Sequence, residues 1–260
     1  MKVGIELTEK QKRLKRKFQK EKGYWSQVLE QLLMFDEDFF EVYVQFTSVP
    51  ERKKALEPKI QELISIAINA SATHLYEPRL RFHIQQALSH GATKEEILEV
   101  FQLTSVLGMH ACALGVRVLF EQVGDGENQT DEELTEKQKR LKAEFIEQMG
   151  YWSAFRDKML TVNEDFFEAY LRLITHPWKK GVLEPKVKEL IYIAIDSSAT
   201  HLYERGLRIH VQNALKYGAA VEEIMEVYEL TSIQGMHTME FGIAILSEEL
   251  AKTKEIPPFS

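Results

Sequence analysis

Cysteine is almost missing: Cys112 is the single one in 260 residues. That excludes an intrachain disulfide and a thiolate metal cluster, and the reducing cytoplasm suits such a chain. Basic charge is in the minority, with 33 Lys and Arg against 40 Asp and Glu, a net charge of −7 and a pI near 5.7. Nucleic acids and anionic membrane surfaces are bound through basic surface, so neither is expected as a partner. No apolar run approaches the roughly 20 residues that span a bilayer, and "MKVGIELTEKQK" has no apolar core of a signal peptide. No stretch alternates as a strand would. What is present is ordinary for a soluble globular protein: 44% hydrophobic and 28% charged residues.

The chain repeats itself. "LTEKQKRLK" at 7–15 recurs at 134–142, "GYWS" at 23 recurs at 150, and "EDFFE" at 37 recurs at 164. "LEPK" at 56 returns at 183, and "LTSVLGMH" at 103 returns as "LTSIQGMH" at 230. Every offset is 127 residues, without insertion or deletion. Solenoid repeats are about 20–50 residues long, so these are two copies of a domain. The expected division is 1–123, a polar linker "GDGENQTDEE" at 124–133, and 134–260. The local basic run "KQKRLKRKFQKEK" at 10–22 interleaves Leu14 and Phe18 at helical spacing and loses most of its charge in the second copy. It reads as a solvated helix face.

Within each copy the signals are helical. Thr8 opens a segment that stops at Gly23, and Asp36 can cap "EDFFEVYVQF", with Pro50 marking a loop. Pro58 suits the first turn of "KIQELISIAINASA", apolar on several faces and so the expected central helix. Pro78 starts a helix ending near Gly91. Thr93 and Glu96 form a capping box for one long helix, "EEILEVFQLTSVLGMHACALGVRVLFEQ", and Ala220 in place of Thr93 weakens the second cap. The fold class is all-α, as two tandem helical bundles.

Among the polar residues that survive in both copies are those of "THLYE…LRxH" and "GMH". They supply His74, Tyr76, Glu77, Arg81, His83 and His110, and again His201, Tyr203, Glu204, Arg208, His210 and His237. Arg79 becomes Gly206. Histidine passes protons near neutrality, with Glu as orienting group or base. Arg holds carboxylates bidentately, and Tyr can donate to a developing enolate. Together these suit cofactor-free decarboxylation or proton transfer beside a carbonyl. Arg81 and Arg208 would anchor a carboxylate, while His83 and His210 shuttle a proton with Glu77 and Glu204. Tyr76, Tyr203, His74 and His201 would polarise the carbonyl, and His110 and His237 would close the pocket. Each histidine also has a plain reading as a hydrogen-bonded core residue, and each Arg–Glu pair as a helix salt bridge. Metal ligation by His74, His83, His110 and Glu77 is open too, although no HExxH spacing supports it; the expectation is no metal and no cofactor.

"ELISIAINASA…LRFHIQQALSHGATKEEILEVFQLTSVLGMHACALGVRVLFE" resembles the carboxymuconolactone decarboxylase and AhpD-like superfamily, over 57–121 and again over 184–248. The AhpD branch carries Cys-x-x-Cys before the family histidine. Here Tyr76 and Arg79, then Tyr203 and Gly206, hold those places, and Cys112 is matched by Met239. Dithiol peroxidase chemistry is therefore excluded. The resemblance implies a lyase of the decarboxylase type acting without cofactor on a small carboxylated lactone from aromatic catabolism. Only the family histidine carries over, onto His83 and His210. It also implies homo-oligomers, here a trimer with pseudo-sixfold symmetry. Tyr24, Trp25, Phe39 and Phe40 could form that contact or the domain's own core. A metal-dependent lyase or hydrolase on the same residues, and a non-catalytic small-acid-binding scaffold, remain the alternatives.

Overall fold

The computed structural model describes residues 7–123 and 134–253, so the linker expected at 124–133 lies outside them. Among the described residues there is no strand. The first copy supplies α1 (Glu9–Lys22), α2 (Gln27–Phe35), α3 (Glu37–Thr47), α4 (Val49–Lys53), α5 (Pro58–Ala70), α6 (Glu77–Ser89), α7 (Lys94–Ser105) and α8 (His110–Val123). The second supplies α9 (Glu136–Met149), α10 (Ala154–Val162), α11 (Glu164–Lys180), α12 (Pro185–Ser197), α13 (Glu204–Lys216), α14 (Val221–Ile233) and α15 (His237–Thr253).

The helix ends follow their local chemistry. Thr8 and Thr135 close reciprocal capping boxes with Gln11 and Gln138, and Gly23 and Gly150 end those helices at φ 73° and 74°. The left-handed conformation there costs a glycine no Cβ clash. Asp36 caps α3 through Phe39 N–H at 2.8 Å. Pro50 does not stand in a loop but in the first turn of α4, where its missing N–H needs no partner.

Two expectations are corrected on the stretch after Thr93. It is not one helix: Val106–Met109 tighten into a 3₁₀ turn between α7 and α8. Thr104 Oγ1 donates to the Val100 carbonyl at 2.8 Å, a back-bond that bends helices, and Thr231 does the same to Val227 before the second such turn, Gln234–Met236. Taken with its turn, Lys94–Val123 is also long and apolar enough to cross a bilayer, its best 18-residue window averaging 1.6 in hydropathy. In the fold α7 sends Ile97, Val100 and Leu103 into the core, whereas Leu114, Val118 and Leu119 of α8 are exposed.

The compact units do not follow the two sequence copies. Among the described residues, one joins 7–54 with 232–253; the other joins 55–123 with 134–231. In the first, Leu14, Phe18, Leu29, Leu33, Phe40 and Tyr43 pack with Ile243 of α15. Phe40 and Trp25 are thus part of this unit's own core. Tyr43 Oη also donates to Glu240 Oε1 at 3.0 Å.

In the larger unit, α5 and α12 form the centre. Leu63, Ile64, Ile66, Leu190, Ile191 and Ile193 are wholly buried there, with α6, α7, α13 and α14 around them. Each such side chain contributes about 1.5–3 kcal/mol, against about 0–1 for a surface ion pair, so this contact dominates the unit's stability. A second cluster sets α9, α10 and α11, through Phe145, Leu160, Phe167 and Tyr170, against Val106, Met109 and Cys112 of the first copy. Each copy's N-terminal helices therefore pack on the other copy's last helix. The exchange is mirrored in carboxylates. Glu99 of α7 accepts from Leu183 N–H at 2.8 Å and pairs with buried Lys188 at 2.8 Å. Its counterpart Glu226 accepts from Ala55 N–H at 2.7 Å and Leu56 N–H at 3.2 Å, and meets Gln61 where Lys188 would be.

Candidate active site

The repeated "THLYE" is a turn. After α12 the chain bends through Ser198–His201, Leu202 takes φ 49°, and Tyr203 N–H returns to the Asp196 carbonyl at 2.8 Å. The first copy does the same, with Leu75 at φ 47° and Tyr76 N–H on the Asn69 carbonyl at 3.0 Å. Left-handed leucines are strained, and such strain tends to collect at sites. The two turns meet: Thr73 Oγ1 and Thr200 Oγ1, 127 residues apart, share a hydrogen bond of 3.0 Å.

Beside the second turn lies a cavity of about 100 Å³. Three parts of the larger unit line it. Val106, Met109, His110 and Ala113 come from the turn and start of α8. Tyr151, Phe155, Arg156 and Tyr170 come from the N-terminal helices of the second copy. Tyr192, Asp196, Tyr203, Gly206 and His210 come from that copy's central helices.

His210 has a carboxylate beside each nitrogen, hydrogen-bonded only at Nδ1. Nδ1 lies 2.6 Å from Glu189 Oε2, and Nε2 lies 3.9 Å from Asp196 Oδ2. Asn213 donates to the other Glu189 oxygen at 3.0 Å, and Tyr192 stacks on the imidazole with ring centres 4.5 Å apart. Glu189 and Asp196 are almost wholly buried. Burial raises the Asp196 carboxyl to about 7, with His210 opposing and Glu189 adding to the rise. It therefore exchanges its proton near neutral pH. Asp196 Oδ2 has no hydrogen-bond partner. It occupies the space over Gly206: a Cβ there would stand 2.2 Å from Oδ2 and 2.7 Å from the Tyr203 ring.

Opposite stands a second pair of rings. His110 lies flat against Tyr203 with centres 3.9 Å apart, and its Nδ1 is 2.6 Å from His201 Nε2 and 3.8 Å from Asp196 Oδ1. Burial, then the neighbouring His201, His210 and Arg156 charges, lower His110 to about 3, so it is neutral at physiological pH. Burial also lowers His201 and raises Tyr203.

Of the residues singled out from sequence, His110, His201, Tyr203 and His210 come together here. His83 of α6 meets Glu62 Oε2 at 2.7 Å, outside the lining of this cavity. His74 and Tyr76 belong to the first turn, rings 5.7 Å apart, and burial lowers His74. His237 heads α15, in the other compact unit. Arg81 and Arg208 do not reach the cavity: each is an exposed i, i+4 partner of Glu77 or Glu204 on the outer face of α6 or α13. Their helices begin at Glu77 and Glu204, and that register turns both members of each pair to solvent. The glutamates beside the family histidine are instead Glu62 and Glu189, one helix earlier.

Sequence reasoning passed over Glu189, Asp196, Arg156, Tyr151 and Tyr170. A signal was present in the differences between copies. Asp196 stands where the first copy has Asn69, Arg156 where it has Leu29, and Gly206 where it has Arg79. The glycine is needed because the aspartate carboxylate fills the volume a side chain would take.

The Carboxymuconolactone decarboxylase family model matches residues 37–115 and 164–236. Both segments carry the family histidine, His83 and His210. A crystal structure of a candidate gamma-carboxymuconolactone decarboxylase subunit from Burkholderia xenovorans LB400 is similar at 40% identity and a TM-score of 0.87, over 94% of this chain and 98% of that one. None of the curated proteins compared with the chain matches it. With two matched segments that together span more than half of its length, the chain belongs to the carboxymuconolactone decarboxylase family.

Proposed function

We propose that the cavity performs cofactor-free acid/base chemistry on a small carboxylated lactone or keto acid from aromatic catabolism, as a decarboxylase or a proton-transfer enzyme. The observation that carries this reading is His210, set between buried Glu189 and an Asp196 carboxyl poised near neutral pH. Glu189 orients the imidazole. Asp196 is the proton reservoir, and His210 or Asp196 meets the substrate. In decarboxylation the bond to the departing carboxylate breaks, and its electron pair moves into the neighbouring carbonyl as an enolate. The proton from the His210–Asp196 pair then goes to carbon as CO₂ leaves. Tyr203 and neutral His110 stand beside the pair as hydrogen-bond donors for the enolate oxygen.

The test is turnover of His210→Asn on a panel of carboxylated lactones and β-keto acids. Removing a proton-transfer group costs about 10²–10⁴-fold; undiminished turnover sinks the reading.

One observation favours a second reading, a metal-dependent lyase or hydrolase: His110, Asp196 and His201 offer three ligand atoms within 4.8 Å of one another. The 2.6 Å between His110 Nδ1 and His201 Nε2 favours a shared proton instead. Two nitrogens bound at about 2.1 Å to one tetrahedral ion stand about 3.4 Å apart. Stoichiometric metal in protein purified without chelator or His-tag would select the metal reading. The proposal extends to a cytoplasmic homo-oligomer, a trimer by its duplication, for which the exposed Leu114, Val118 and Leu119 of α8 are the supporting surface.

A further inference from the structure

We propose that Arg156 is the carboxylate anchor of this cavity and that the duplicated chain consequently takes one such anion, not two. This rests on the reading of the cavity as a site for a carboxylated substrate.

Arg156 sits on α10 with 7% of its surface exposed and lines the cavity. Its guanidinium donates through Nη1 to Ser153 Oγ, and through Nη2 to Tyr151 Oη at 3.3 Å and Tyr170 Oη at 3.2 Å. Nε is buried with no partner. No carboxylate among the described residues forms an ion pair with it. The rings of Phe145, Tyr151 and Phe155 lie 4.5, 4.9 and 4.6 Å from the guanidinium carbon. Such faces attract a cation but carry no counter-charge. A buried, unneutralised charge costs several kcal/mol, and arginine cannot escape the cost by losing its proton. The obvious relief is an anion from outside: Nη1 spends one of its two N–H groups on Ser153, and a guanidinium that lines a cavity wall matches a carboxylate in both charge and shape.

The cavity is the right size for the charged end of a small acid. About 150 Å³ holds benzene, so 100 Å³ takes roughly four to six heavy atoms. Arg205, at the same wall, adds a second cation, and its counterpart in the first copy is Pro78. The counterpart of Arg156 is Leu29, itself buried. Both cations therefore exist once per chain. The anchor also constrains the chemistry: a guanidinium gripping the carboxylate that departs would favour the ground state over neutral CO₂. A substrate that is decarboxylated here thus keeps the carboxylate held by Arg156 and loses another one.

The experiment is a ¹⁹F NMR titration of the full chain with trifluoroacetate, using uncharged trifluoroacetamide as the control. One trifluoroacetate bound per chain is expected, with trifluoroacetamide at least about tenfold weaker. Arg156→Met is expected to abolish binding. Arg156→Lys keeps the charge but loses the fork and is expected to weaken binding about tenfold; it carries the test should Arg156→Met fail to fold. Two equivalent sites per chain, equal binding of the amide, or wild-type affinity in a folded Arg156 variant would each overturn the proposal. An active His210→Asn with Arg156-dependent binding would leave the anchor standing and remove the acid/base reading.

Discussion

The two family histidines have the same neighbour on one side and different ones on the other. His83 and His210 each set Nδ1 against a glutamate of the preceding helix, at 2.7 and 2.6 Å. Beyond His210 the Asp196 carboxyl lies 3.9 Å from Nε2, with Gly206 leaving room for it and Arg156 at the cavity wall. In the first copy Asn69 stands at the position of Asp196 and turns its Nδ2 to the Ser65 carbonyl at 2.8 Å. An amide cannot release a proton, and Leu29 cannot hold an anion. The orienting Glu–His pair thus occurs twice, whereas the titratable Asp196 and the arginine proposed as the anion anchor occur once. A shared Glu–His pair is what the fold supplies by default; the function is to be sought in what was not shared.

The comparison breaks most sharply on turnover. His210→Asn is expected to lower kcat about 10³-fold, whereas His83→Asn should leave it within about threefold. Equal losses in steady-state kinetics would mean that both copies work. Asp196→Asn, which copies the first half, should cost about 100-fold and remove the fall in rate that is expected of the wild type as pH rises through about 7.

The same substitution has a stability signature. The Asp196 carboxyl is raised to about 7 in the fold, against an ordinary 3.8. Between those values the folded chain holds a proton that the unfolded chain has released. Stability therefore falls as pH rises through that window, by on the order of 4 kcal/mol for a shift of this size. Urea denaturation at pH 4 and pH 8 should show that loss in the wild type and a smaller one in Asp196→Asn.

The buried glutamates sharpen the comparison further. Glu99→Gln leaves Lys188 charged and buried, at a cost of about 3–5 kcal/mol. Glu226→Gln faces Gln61 instead and should cost about 1–3 kcal/mol, as lost charge-assisted hydrogen bonds. Similar melting losses for the two would show that the ion pair is not the distinguishing element. The smallest effect is at a helix start. Ala220 retains half a capping box, its N–H reaching Glu223 Oε2 at 2.7 Å. Ala220→Thr, which restores the arrangement at Thr93, should stabilise by about 1 kcal/mol in the same denaturation assay.

Much of the fold was legible beforehand because helix boundaries are local. Thr8, Asp36, Pro58, Thr93 and Gly23 act on residues within a turn of themselves, and the structure puts each where the sequence suggests. The 3₁₀ turn at Val106–Met109 was not legible, since no proline interrupts the helical pattern there. At the site, the histidines were legible as repeated polar residues. Their acids were not, because Glu77 and Glu204 look like partners in sequence yet face solvent one register step away, while Glu62 and Glu189 come from another helix.

The amino-acid sequence alone determined the all-α class, the duplication, the family and the absence of a dithiol, because each rests on residue identity or on contacts within a few positions. Which copy's helices pack together, and which side chains share the cavity, were decided only in three dimensions. Tyr151, Arg156, Asp196 and His210 are brought together with His110 because Val106, Met109 and Cys112 pack against the aromatic helices of the opposite copy. That choice is made by side-chain complementarity over long sequence separation, which no local pattern encodes.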